Sequence, residues 1–154
     1  MTTYPDPRNN RLLAARPEAE WQILLPQLER VDLPLAQVIC ETGCVLSHVY
    51  FPTTAIISLL YVMENGDSTE IAVVGNEGVV GVALFLGGES TTTRTVVQSA
   101  GEAFRLKAEI LKKEFSQSAP LMHLMLRFTQ ALIAQTAQTA ACNRHHSMDQ
   151  QLCR

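Results

Sequence analysis

Apolar residues recur at helical spacing early in the chain, and after Glu29 they gather instead into short runs. Between Asn10 and Leu28, the residues Leu12, Leu13, Trp21, Leu24, Leu25 and Leu28 form one apolar stripe, and Pro17 sits where a second helix would begin. This predicts an N-terminal helical lid. From Glu29 the runs are Val31 to Leu35, Val38 to Cys40, His48 to Phe51, Ala55 to Met63, Thr69 to Val74, Thr93 to Ser99 and Glu102 to Leu106. They are rich in Val, Ile, Thr and Tyr and are separated by turn residues at intervals typical of an all-β unit. Asn65-Gly66 predicts a type I′ hairpin, since both central residues of that turn need positive φ, so runs 55 to 63 and 69 to 74 should pair antiparallel.

Helical character returns at Lys107 to Phe115. Ser118 then caps a longer helix that has Pro120 in its first turn, where a missing N–H costs little, and that runs to about Cys142. Leu121, Leu124, Met125, Phe128, Leu132 and Ile133 give it an apolar face that needs a partner. Positions 125, 128, 132, 135, 139 and 142 follow the alternating three and four spacing of a coiled-coil seam, which predicts a homodimer through residues 119–142. The same pattern also suits a helix packed on its own β-unit. Ser147 followed by Gln150 fits a capping box that opens a further helix, one that reads as cut short at Arg154.

The chain has 154 residues, 47% apolar and 18% charged, enough for one core plus an appendage. Its net charge of -3 and scattered Lys and Arg residues offer no stripe for phosphates, so this segment should not hold DNA by itself. The beginning shows no signal peptide and no run reaches spanning length, which predicts a cytoplasmic protein with no membrane role. Cys40, Cys44, Cys142 and Cys153 are expected as reduced thiols; the C-x3-C spacing of Cys40 and Cys44 could clip a metal or a disulfide, but two small residues flanking a turn are the expected reading. A metal-dependent enzyme is not expected either. Residues 29 to 106 contain one histidine, His48, and no H-x-H, whereas such chemistry needs about three ligands and an open position. His145-His146 reads as a polar linker.

The segments His48-Val49-Tyr50-Phe51-Pro52, Ala55-Ile56-Ile57-Ser58-Leu59, Val73 to Gly81, Cys142 to Ser147 and Gln150 to Arg154 resemble the Crp/Fnr superfamily of transcription regulators, over nearly the whole chain from Asn10. The resemblance implies a mainly β fold with flanking helices (α+β): a double-stranded β-helix, or jelly roll, followed by a long dimerisation helix. It divides the chain into a helical segment at 1–28, a β-roll effector domain at 29–106, a hinge and long helix at 107–144, and the start of a winged helix-turn-helix head at 145–154. It also implies that DNA is bound only through that head.

In cyclic-AMP-binding members of the family, a segment similar to Gly81 through Thr95 wraps the cyclic phosphate. A glycine admits the backbone, the next residue is a glutamate that takes the ribose hydroxyl, and an arginine neutralises the phosphate. This sequence has Gly81, Arg94 and Thr95, but Val82 stands at the glutamate position. The substitution argues against tight cyclic AMP binding, because a buried ribose hydroxyl without its partner costs about 1 to 3 kcal/mol. The effector stays open between a small anion, a nucleotide and none at all. Gln135 and Thr136 lie where relatives touch the effector base across the dimer. A free-standing cyclic-nucleotide-binding module of another effector is the alternative reading.

Overall fold

The structure, a computed structural model, describes residues 5–88 and 90–145. The apolar stripe at the N-terminus becomes two short helices, α1 at Arg11–Ala14 and α2 at Glu18–Leu24, with Pro17 at the start of the second as its place in the sequence predicts. Leu12, Leu13, Trp21 and Leu24 are buried, whereas Leu25 turns outward, half exposed. Seven strands follow: β1 at Glu29–Leu33, β2 at Val38–Cys40, β3 at His48–Pro52, β4 at Ile56–Val62, β5 at Ser68–Val74, β6 at Arg94–Ser99 and β7 at Gly101–Lys107. Each apolar run of the sequence corresponds to one of them. They pair antiparallel in two sheets, one ordered β1-β7-β3 and the other β2-β6-β4-β5, which is the jelly-roll arrangement.

The β4–β5 hairpin forms as expected, but its turn does not. Val62 pairs with Ser68, and among the described residues only Gly66 in that loop has positive φ, at 91°. Asn65 instead accepts a hydrogen bond from the Asp67 amide at 3.0 Å. Its short side chain closes the loop from within, so a left-handed backbone at Asn65 is unnecessary.

Helix α3 spans Ala108–Gln117 and α4 spans Ala119–His145. Ser118 links them: its hydroxyl accepts from the Leu121 amide at 3.2 Å. One core cluster joins the lid to the base of the roll through Leu13, Trp21, Leu24, Val49, Phe51, Leu106, Leu111, Leu121 and Met125. A second lies between the sheets, with Leu33, Ile57, Val74, Val80 and Val97, and Phe128 packs against both.

The predicted coiled-coil seam is largely used inside the chain. Met125 is buried in the first cluster, and Phe128 and Leu132 pack on the roll. Burying them there removes apolar surface from water without a second chain. Leu126 and Ile133, 44% and 64% exposed, mark the outer face of α4 instead. The capping signal at Ser147 and Gln150 lies outside the described residues.

Candidate functional site

Gly81 ends the extended stretch after Val80 with φ at 114°, a left-handed conformation that favours glycine, and a Cβ there would meet Val49 Cγ1 at 2.9 Å. The turn lets a 3₁₀ segment at Val82–Leu84 line a cavity of about 270 Å³. Its opposite wall is the stretch Ser90 to Thr93 together with Thr95, whose side chain is almost fully buried. Leu46, Leu59 and Ile71 line the roll side. Leu132 and Thr136 of α4 complete the lining, so the long helix forms part of the cavity wall.

The lining is rich in hydroxyls. Thr91 Oγ1 lies 3.2 Å from the Thr93 carbonyl oxygen and 3.1 Å from Thr93 Oγ1, which stiffens the loop from within. Thr136 Oγ1 donates to the Leu132 carbonyl at 2.9 Å and keeps its lone pairs for an incoming donor.

Of the residues singled out from sequence, the structure brings together Gly81, Val82, Thr95 and Thr136 around this cavity. Gln135 lines neighbouring grooves between β5 and α4 instead. Arg94 is not among the lining residues, although Thr93 and Thr95 on either side of it are: its Nε donates to Glu41 at 3.2 Å, and the two side chains are 37% and 62% exposed. The described residues lining the cavity thus present hydroxyls and apolar groups, with the guanidinium held outside.

Sequence reasoning singled out the Cys40–Cys44 segment but missed the role of Glu41 within it. Cys40 and Cys44 form a disulfide, which overturns the expectation of thiols at this pair. Gly43, at φ 85°, lets the turn close and brings the two Cα atoms to 6.0 Å, within the usual disulfide range. Cys40 pairs with Thr95 in the β2–β6 register, so Glu41 emerges beside Arg94. The pairing of Glu41 with Arg94 depends on that cross-strand register, which no spacing in the sequence reveals. The C-x3-C pattern was the one available signal.

The roll is coupled to α4 at a second point. A Cβ on Gly78 would overlap the Phe128 ring, so only glycine lets helix and turn approach this closely. The turn is tied to the lid as well. Asn10 is fully buried; its Nδ2 donates to the carbonyls of Pro52 and Gly78, both at 2.8 Å, while its Oδ1 accepts from the amides of Leu12 and Leu13.

His48, on β3, has its pKa lowered, chiefly by burial and then by Arg105. Glu20 is also shifted down. Burial works to raise it, but hydrogen bonds from Ser118 and Arg16 outweigh that effect. Among the described residues no cluster of His, Cys, Asp and Glu could hold a metal ion, and no helix is long and apolar enough to cross a membrane.

Comparison with known proteins bears on this geometry. No curated protein matches the sequence significantly. Among solved structures, the fold is similar to the c-di-GMP-responsive global regulator CLP of Xanthomonas campestris, with a TM-score of 0.72 and 14% identity, covering 85% of this chain and 66% of that one. It is also similar to the N-terminal domain of a transcriptional regulator from Streptomyces coelicolor A3(2), at TM-score 0.62 and 18% identity, covering 87% and 94%. The catabolite activator protein of Thermus thermophilus matches at TM-score 0.61 and 17% identity, over 86% of this chain and 60% of that one. This chain therefore spans less than two-thirds of the first and last of these relatives. The cyclic nucleotide-binding domain profile matches residues 30–118, more than half of the sequence, and the chain belongs to that family.

Proposed function

We propose that this chain is the effector-sensing and dimerisation part of a Crp/Fnr-type transcription regulator, that DNA is contacted by a separate C-terminal head, and that cyclic AMP is not its tight ligand. The observation that carries this reading is the shared wall: Leu132 and Thr136 of α4 line the same cavity as Gly81 and Val82. A ligand there touches both the roll and the helix, so it favours whichever packing of the two it fits best. Tilting α4 in a homodimer joined through residues 119–142 would turn two heads into or out of register with two half-sites. The exposed Leu126 and Ile133 are the apolar residues such a dimer would cover. Similarity to bacterial regulators supports the DNA-binding context.

Cyclic AMP is disfavoured because Val82 offers its ribose no acceptor and Arg94 is engaged by Glu41. Thermal shift against cyclic AMP, cyclic GMP and cyclic di-GMP tests this, because a ligand that binds the folded state raises its apparent stability. No shift is expected with micromolar cyclic AMP. A micromolar cyclic AMP shift that disappears in Arg94→Ala would overturn the ligand assignment, and a monomer in sedimentation experiments would overturn the dimer.

A further inference from the structure

The disulfide does more than close a turn, because Gly43 and Cys44 are hydrogen-bonded to Thr91 of the cavity wall and Glu41 to the neighbouring Arg94. Glu41 holds Arg94 at 3.2 Å. The Gly43 amide donates to the Thr91 carbonyl at 2.7 Å, and the Thr91 amide donates to the Cys44 carbonyl at 3.1 Å. Val45 and Ser90 extend the same pairing by one bridge. Segment 40–45 is thus a clip laid along the wall formed by Ser90 to Thr93. Its conformation depends on a left-handed glycine and one covalent bond.

We propose that the Cys40–Cys44 pair is a thiol–disulfide control site that sets whether Arg94 is held outside the cavity by Glu41 or is released toward it as a ligand for a phosphate-bearing anion. The proposal rests on the effector-sensing reading of this cavity. Cys44 is half-buried and Cys40 fully buried, so a small thiolate reaches the Cys44 sulfur first. Its attack forms a mixed disulfide with Cys44 and expels Cys40 as a thiolate, which takes up a proton. A second thiol then attacks the small molecule's sulfur in that mixed disulfide, releasing Cys44 and leaving the oxidised disulfide of the reductant. In sum, two small thiols are oxidised and two cysteine thiols are formed. With the covalent closure gone, residues 41–44 regain backbone freedom, and the exposed Glu41–Arg94 pair, a weak tie by itself, no longer has its carboxylate fixed in place.

The test compares the protein equilibrated with oxidised glutathione and with excess reduced glutathione, following hydrogen exchange by nitrogen-15 NMR. Reduction is expected to speed exchange of the Gly43 and Thr91 amides and of the Arg94 Nε–H by about tenfold or more. Unchanged exchange, or peptide mapping that finds Cys40 and Cys44 still unpaired under oxidised glutathione, would overturn the proposal. Glu41→Gln separates the two halves of the device: it should speed only the Arg94 Nε–H and leave the two amides protected. If Glu41→Gln leaves the Nε–H as protected as in wild type, Glu41 is not what holds Arg94 and the proposal fails. With cyclic AMP as a phosphodiester probe, the reduced protein and Glu41→Gln should each bind about tenfold more tightly than the oxidised wild type, equivalent to about 1.4 kcal/mol. Equal binding in all three forms sinks the assignment of Arg94 as the released ligand. No cyclic AMP binding in any form, with the exchange changes intact, counts against the effector reading and leaves the clip supported.

Discussion

Two loops flank the cavity-forming turn, and they are held in opposite ways. The Gly75 to Gly78 turn is fixed from inside: Asn10 donates to the Gly78 carbonyl, and the Phe128 ring lies against Gly78 where a side chain would otherwise be. The Ser90 to Arg94 wall is fixed from outside by Glu41, Gly43 and Cys44, with its ion pair open to water. A buried polar tie is expensive to break because water cannot replace the lost partner, whereas an exposed pair exchanges for hydration at little cost. The inner loop therefore behaves as framework and the outer one as an adjustable wall.

The sharpest way to break the contrast is Asn10→Ala. It removes the cap of α1 and leaves buried carbonyls at Pro52 and Gly78 without donors, for an expected loss of about 3 kcal/mol in urea unfolding. A loss below about 1 kcal/mol would mean that water reaches this node and that the two loops are not different in kind. Next in size, Gly78→Ala should cost about 2 kcal/mol through collision with the Phe128 ring, and a Phe128→Leu background should recover part of it. Strict additivity in that double-mutant cycle would refute the close approach of turn and helix.

The smallest effect concerns pH. His48 is partly buried, and its pKa lies below the ordinary 6.5, so the folded state binds fewer protons than the unfolded chain just beneath that value. Stability should therefore fall as pH drops from 6.5 through the lower folded value, and His48→Gln should flatten that part of the profile. A profile unchanged by the substitution would show that His48 is not desolvated. Glu20 acts at lower pH, since its stabilisation is present above 4.5 and is lost as pH falls through its lowered folded value.

The strands were legible because alternating and β-branched runs bounded by turn residues have few other ways to bury themselves, and β2 matches its predicted span at Val38 to Cys40. Around the cavity, Gly81 was legible through the family resemblance, and its left-handed φ supplies the local reason for a glycine there. The partner of Arg94 was not, because it depends on Cys40 lying opposite Thr95, a register set by tertiary pairing. The seam on α4 left two coverings open in the sequence for a related reason. Met125, Phe128 and Leu132 show the spacing of a helix pair, but periodicity reports that a face is covered and not by what.

The placement of Phe128 also gives α4 a mechanical character. From Phe128 to the end of the helix at His145 is about 25 Å at 1.5 Å per residue. Leu132 and Thr136 still meet the roll along the first half of that length, so a tilt with its fulcrum beside Gly78 also shifts the cavity wall. A tilt of about 5° about that fulcrum moves the far end by roughly 2 Å, while the side chains at the fulcrum hardly stir. On the proposed reading, a shift of the cavity wall at Thr136 would be roughly doubled at His145, which lies about twice as far from Gly78 along the helix.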